Sequence, residues 1–328
     1  MKFARLLLIV FLFSALTYGQ SSGKYFNWNG YGQFRIYKIN GGSEGFMLRR
    51  LKLWVQGNVP SMERFRYKVM GFFSYNKGGY FRLLDAYGDF LFTNGYLRFG
   101  WQITEFSLQR EQPDWKIPVM DRAAVINGMI PAAQSSARDV GLQIRWSPVK
   151  NIWQVAGGVF NGGGANLNTP SSANFLYTMR STVKINIAED YSWHFGGSVM
   201  YRKAEQADFN LIFGKDNLFS GDDFRYGFES LLKLNKVKIQ AEYIGADFNG
   251  QKAYGYYAYI NYNFSEKDQA VVSAERFADL NDETNDDLWM TAGYNRLFAG
   301  HKVKLMASGR TQFNGNYKLS AQLQLFFN

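Results

Sequence analysis

Residues 100–141 read GWQITEFSLQREQPDWKIPVMDRAAVINGMIPAAQSSARDVG, the longest connection in a chain otherwise built of short strands. The segment leaves a strand near Gln102 and enters another near Arg138. Between them lie Trp115, Ile117, Val119, Met120, Val125, Ile126, Met129 and Ile130. A loop carrying that much apolar surface has to pack against something. The expectation is that it folds into the lumen of a barrel and narrows it, with the remaining chain as the wall.

Outward from this segment, about sixteen stretches of roughly 9 to 14 residues alternate apolar and polar residues, the length of strands tilted across a bilayer. They fall near 25–38, 44–58, 63–75, 79–93, 95–103, 137–147, 151–160, 175–188, 191–203, 224–235, 236–247, 253–265, 268–277, 287–297, 301–313 and 317–327. Val303, Leu305 and Ala307 alternate with Lys302, Lys304 and Ser308, and Leu319, Leu323 and Leu325 oppose Lys318, Gln322 and Gln324. One face suits lipid and the other water. The connections also sort by length. Pro60-Ser61, Thr93-Gly95, Ser147-Lys150, Ala188-Asp190, Leu234-Lys236, Ser265-Lys267 and Ala299-Gly300 are short, while 104–136, 161–174, 204–223 and 278–286 all fall on the other side. Short periplasmic turns opposite longer extracellular loops mark an outer-membrane barrel, and make 104–136 the third extracellular loop.

Composition agrees. Aromatics make up 18% of the chain and Gly 33 residues, yet mean hydropathy is negative. A surface alternating residue by residue gives that combination. Met1 to about Gly19 carries Lys2 and Arg5, then LLLIVFLFSAL, then small residues, and reads as a secretory signal peptide over 1–19, with one barrel domain over 20–328. No second apolar run is long enough for a membrane helix. Cysteine is absent, so no disulfide framework holds the exported chain.

The net charge of +10 falls to +8 without Lys2 and Arg5, and where it points decides what it attracts. Carrying the strand faces round the barrel turns about sixteen cations inward, among them Arg35, Arg50, Lys52, Arg98, Lys184, Lys233 and Lys238. Only Asp85, Asp89, Asp139, Glu229, Glu242 and Glu275 face the same way. A positive lumen concentrates small anions and repels cations. The blander reading is that these groups keep the lumen wet and pair with the acids.

Motifs in the first half resemble the phosphate-selective porin O and P family. They are Phe46-Met47-Leu48-Arg49-Arg50-Leu51-Lys52-Leu53, Leu84-Asp85-Ala86-Tyr87, Gly100 with Thr104 and Phe106, Asp121-Arg122-Ala123, and Arg138-Asp139-Val140-Gly141-Leu142-Gln143. The resemblance implies an all-β, transmembrane antiparallel β-barrel of sixteen strands, assembled as a homotrimer, with an inward-folded third extracellular loop. It further implies Arg35, Arg50 and Arg122 as anion contacts, Arg49 at the rim, and Asp85 as a counter-charge. Arg138 and Asp139 would pin the loop's return, and Lys52, Arg98 and Lys116 join the candidate constriction. Ile103 stands where the family carries a basic residue and Glu105 where it carries proline, which weakens the case for tight phosphate selectivity.

Other chemistry finds little support. His194 and His301 are the only histidines and there is no Gly-x-Ser-x-Gly elbow, so no enzyme, metal or cofactor is expected. The run Asp279, Asp282, Glu283, Asp286 and Asp287 lacks calcium-loop spacing and reads as a solvated loop. Phe327 is expected to serve as the terminal aromatic. The reading is a passive porin of a Gram-negative outer membrane for small anions, phosphate included, with lipid and lipopolysaccharide as its surroundings and no nucleic-acid partner. Two alternatives stay open. One is a plugged barrel acting in surface binding or adhesion; the other is a transporter of larger anionic or apolar solutes, with Tyr257 and Tyr259 as the hint of an aromatic slide.

Overall fold

The computed structural model describes residues 23–74, 80–132, 137–164, 174–281 and 286–327. Residues 1–19, expected from the sequence to be a signal peptide, and Asp282 and Glu283 of the acidic run lie outside them. The first eight strands are β1 (Asn27–Ile39), β2 (Glu44–Val59), β3 (Met62–Ser74), β4 (Tyr80–Phe92), β5 (Gly95–Ile103), β6 (Arg138–Val149), β7 (Trp153–Phe160) and β8 (Leu176–Ala188). The second eight are β9 (Tyr191–Asp208), β10 (Leu218–Leu234), β11 (Val237–Phe248), β12 (Gln251–Asn263), β13 (Asp268–Ala278), β14 (Trp289–Leu297), β15 (Val303–Gln312) and β16 (Tyr317–Phe327). Each pairs antiparallel with its sequence neighbours, and β1 pairs with β16 to close the ring.

Period-two chemistry fixes the register. On β16, Leu319, Leu323 and Leu325 are exposed on the outside while Gln322 and Gln324 are buried inside. A slip of one residue would reverse every such choice and put charges in hydrocarbon, at about 2 to 4 kcal/mol each near the midplane. The short turns use residues that tolerate positive φ: Asn94 at 59°, Asn235 at 51°, and the Asn249-Gly250 pair at 51° and 89°. β9 and β10 run further than the sequence pattern indicates. Their outer ends continue the ladder, with Leu218 opposite Asp208 and Phe219 opposite Ala207. Polar Glu205 and Gln206 there read as loop because a strand rising clear of lipid has no apolar face to show.

The lumen is not uniformly wet. Phe160, Leu176, Met200, Ile244, Phe248 and Val271 point inward from β7 to β13 and join Phe106, Val125, Ile126, Met129 and Ile130 of the long loop in one buried cluster. Half of the ring thus carries an interior apolar core. The other half, around β1 to β5, is lined with charge.

Candidate functional site

Two short helices shape the long loop: α1 (Leu108–Glu111) and α2 (Ala124–Met129). Ser107 caps α1 by accepting from the Arg110 amide at 3.3 Å. The free amides of Leu108 and Gln109 donate to the Glu242 carboxylate on β11, at 3.1 and 2.7 Å. A negative wall group thereby holds the positive end of the helix turn. α2 buries Val125, Ile126 and Met129 against β11 to β13. It comes close because the wall presents Gly255 there: a Cβ on that residue would lie 2.7 Å from the Cβ of Val125.

Further bonds fix the loop all round. Arg225 donates to the Met129 carbonyl (2.9 Å), Asn295 to that of Pro118 (2.8 Å), Lys304 to those of Trp115 and Ile117 (3.3 and 3.2 Å), and the Ser198 hydroxyl to that of Phe106. These partners stand on β10, β14, β15 and β9. Only a segment inside a closed ring reaches so many of its walls.

On the charged side, two loop carboxylates organise the cations. Asp121 accepts from Arg35 at 2.6 and 3.1 Å and from Arg49 at 3.1 and 3.0 Å, with Arg50 3.8 Å away. Asp114 accepts from Lys52 and Tyr31, each at 2.6 Å, and pairs with Arg50 at 3.3 Å. Burial by itself raises the Asp114 carboxyl, but Lys52 and Arg50 beside it hold it well below the usual carboxylate range. Asp121 is depressed in the same way: Arg35 and Arg49 outweigh the burial that pushes it up. Both loop acids therefore stay ionised, each compensated by the cations beside it.

Between the loop and the β2 to β5 wall lies a cleft of about 760 Å³. Its lining runs from Trp54 and Gln56, near the short turn after β2, to Asn210 and Leu211 of the loop between β9 and β10. Seven cations line it, Arg49, Arg50, Lys52, Lys68, Arg110, Arg122 and Arg138, against three carboxylates, Asp85, Glu111 and Asp114. Arg122 donates to the carbonyls of Gln109 and Gln112 at 3.0 and 2.5 Å. Both partners are neutral carbonyls, and Asp114 offsets its charge only through space.

The model of the family described as phosphate-selective porin O and P matches residues 24–273. The chain belongs to that family. It is thus an outer-membrane porin, and family and fold together make it a channel rather than an enzyme. Solved porin-like barrels share the architecture at low identity. OmpF of Salmonella typhi, in complex with daunomycin, has a TM-score of 0.67 and 9% identity, covering 92% of this chain and 97% of that one. In-vitro folded OmpT of Vibrio cholerae, in a trimer form, gives 0.64 and 10%, covering 92% and 99%. A Rhodopseudomonas blastica porin triple mutant gives 0.61 and 12%, covering 92% and 100%. No curated protein matches the chain.

Within this porin the candidate residues fall into three groups. Arg50, Lys52, Arg122 and Arg138 line the cleft, with Asp85 between Lys68 and Arg138 at 2.8 Å from each. Arg35 is buried beneath the loop, held by Asp121 and Gln322, and stands as an anchor. Arg98 pairs with Asp89 at 2.7 Å and stacks 3.7 Å above the Tyr87 ring; Lys116 is exposed over Trp115, and neither lines the cleft. Asp139 accepts from the neighbouring Val140 amide at 2.8 Å. Tyr257 and Tyr259 lie on the far side of the loop from the cleft, where they line a smaller pocket and their hydroxyls donate to Glu242 and Gln240, at 2.5 and 2.6 Å.

The porin's interior is also less positive than strand periodicity indicates. Glu105, Glu111, Asp114 and Asp121 sit on the loop, where no period assigns a direction, and pair with wall cations. Asp223 belongs to the outer part of β10 that reads as loop, and it pairs with Arg202 and Arg225 at 2.9 and 2.7 Å.

Proposed function

We propose that this porin passes small solutes through the cleft with preference for anions, phosphate among them. The excess of cations among the cleft-lining charges, seven against three carboxylates, carries the reading. Fixed positive charge in a narrow, low-dielectric passage raises the local concentration of anions and repels cations. Arg49, Arg50 and Arg122 present guanidinium donors suited to phosphate or carboxylate oxygens, and Lys52 and Lys68 add point charge. Asp114 and Asp121 hold the arginines in place while removing only part of their charge. The family's description, phosphate-selective, supports phosphate as one permeant anion. Ile103, which lines the cleft where the family carries a basic residue, favours a broader anion range. The trimer form among the structural neighbours supports a homotrimer, set in lipid and lipopolysaccharide.

Reversal potential in a planar bilayer under a KCl gradient tests this. Anion-selective steps are expected, with selectivity reduced in Arg50→Gln and further in the double variant with Arg122→Gln. Unchanged selectivity in the double variant would remove these arginines from the role. A folded barrel with no conductance would favour the plugged, surface-binding alternative, for which the interior apolar core is the supporting observation.

A further inference from the structure

The cations occupy only part of the cleft. Half-buried Trp54, Phe72, Ile103 and Trp115 line the rest, together with Tyr31 and Leu84, which are buried. Toward the periplasmic end four aromatic rings draw together. Tyr31 and Trp54 meet edge to face with centroids 6.3 Å apart, Phe326 stacks on Tyr31 at 5.2 Å, and Trp115 stands edge-on to Phe326 at 4.9 Å. Lys52 joins this group, with its Nζ 5.9 Å from the Tyr31 centroid and 2.6 Å from Asp114.

A passage for inorganic anions has no use for this surface. A small hydrated ion is stabilised by charge and by hydrogen-bond donors, whereas apolar area left facing lumen water is unfavourable. A flat apolar group covers that area, and an anionic head on the same molecule reaches the arginines. Rings also prefer offset or edge-on contact with other rings, the geometry these side chains already adopt among themselves. Charge and apolar surface lie along one cleft, so one ligand engages both at once.

We propose that the cleft takes amphipathic organic anions, an aromatic or similarly flat group bearing a phosphate or carboxylate, in preference to inorganic phosphate. This rests on the anion-passage reading and names its substrate class. The head group meets Arg49, Arg50 and Arg122 while the body lies against Trp54 and Trp115.

Single-channel chloride current through the refolded full chain, with phenyl phosphate, glycerol phosphate or inorganic phosphate added, is the test. The three probes share a head group and differ in the body. Phenyl phosphate is expected to interrupt the current at a concentration at least about tenfold lower than the other two. Trp54→Leu and Trp115→Leu should each narrow that gap, and if neither folds the comparison on the unaltered protein decides alone. Equal potency of the three probes in an anion-selective channel would overturn this inference and leave the passage reading standing. A cation-selective reversal potential would sink the passage reading, and this inference with it.

Discussion

Arg35 on β1 donates to both carboxylate oxygens of Asp121, at 2.6 and 3.1 Å, joining the tip of the long loop to the strand that closes the ring. Asp121→Asn removes the charge that also holds Arg49 and Arg50. A fork of arginines left without its counter-charge should shift the reversal potential further toward anions. It should also lower stability by on the order of 2 kcal/mol, read as a lower melting temperature in detergent. A reversal potential that moves toward cations would contradict the assignment.

The loop acids set the response to pH. Their carboxyls are depressed in the folded state by Lys52 and Arg50 at Asp114 and by Arg35 and Arg49 at Asp121, opposing burial. A depressed carboxyl contributes stability that is present above the unfolded value, near 4, and is lost only as pH falls through the lower folded value. Conductance and selectivity governed by these two ties should therefore hold from pH 7 down to about pH 4. Loop release inside that window, seen as new cleavage of 104–137 by an acid-active protease, would show that the ties are weaker than their geometry indicates.

Lys233 and Lys238 face one another directly across β10 and β11 on the lumenal side. Like charges in opposed positions repel, and an opposite pair there contributes roughly 0.2 to 1 kcal/mol. Lys238→Glu should thus stabilise the barrel slightly while moving the reversal potential toward cations. A bilayer recording and a thermal melt on the same preparation separate the two effects.

Gly255 on β12 is the position where α2 touches the wall. Gly255→Ala places a methyl group 2.7 Å from Val125 Cβ and 2.8 Å from the Arg276 carbonyl, which is backbone and cannot swing aside. The substitution should cost about 1 to 3 kcal/mol by overpacking. Amide exchange in Ala124–Met129 should quicken more than in the distant β3 and β4.

The sequence made the wall legible because alternation is local: Leu319 to Leu325 declare their face without reference to anything distant. It made the loop's apolar content legible as well. The loop's partners were not, because Glu242 meets the α1 amides across more than a hundred intervening residues and only the closed ring brings them together. Asp121 was visible within its motif, but its grip on three arginines depends on how far the loop descends. Trp115 was legible only as part of the loop's apolar content, and Trp54 carried no signal of its own. That they line one cleft follows from the fold alone.

A segment that leaves β5 yet is bonded to β1, β14 and β15 cannot reach its place while the chain emerges strand by strand. Its partners Asn295 and Lys304 stand 177 and 189 residues from the atoms they hold. Contacts of such long range form late. Seating of the loop and meeting of the first strand with the last are therefore coupled events in assembly, and a chain that has not finished inserting has neither a sealed wall nor a constriction. The cell envelope is spared a leaky half-built pore, because the features that make a selective opening arrive together.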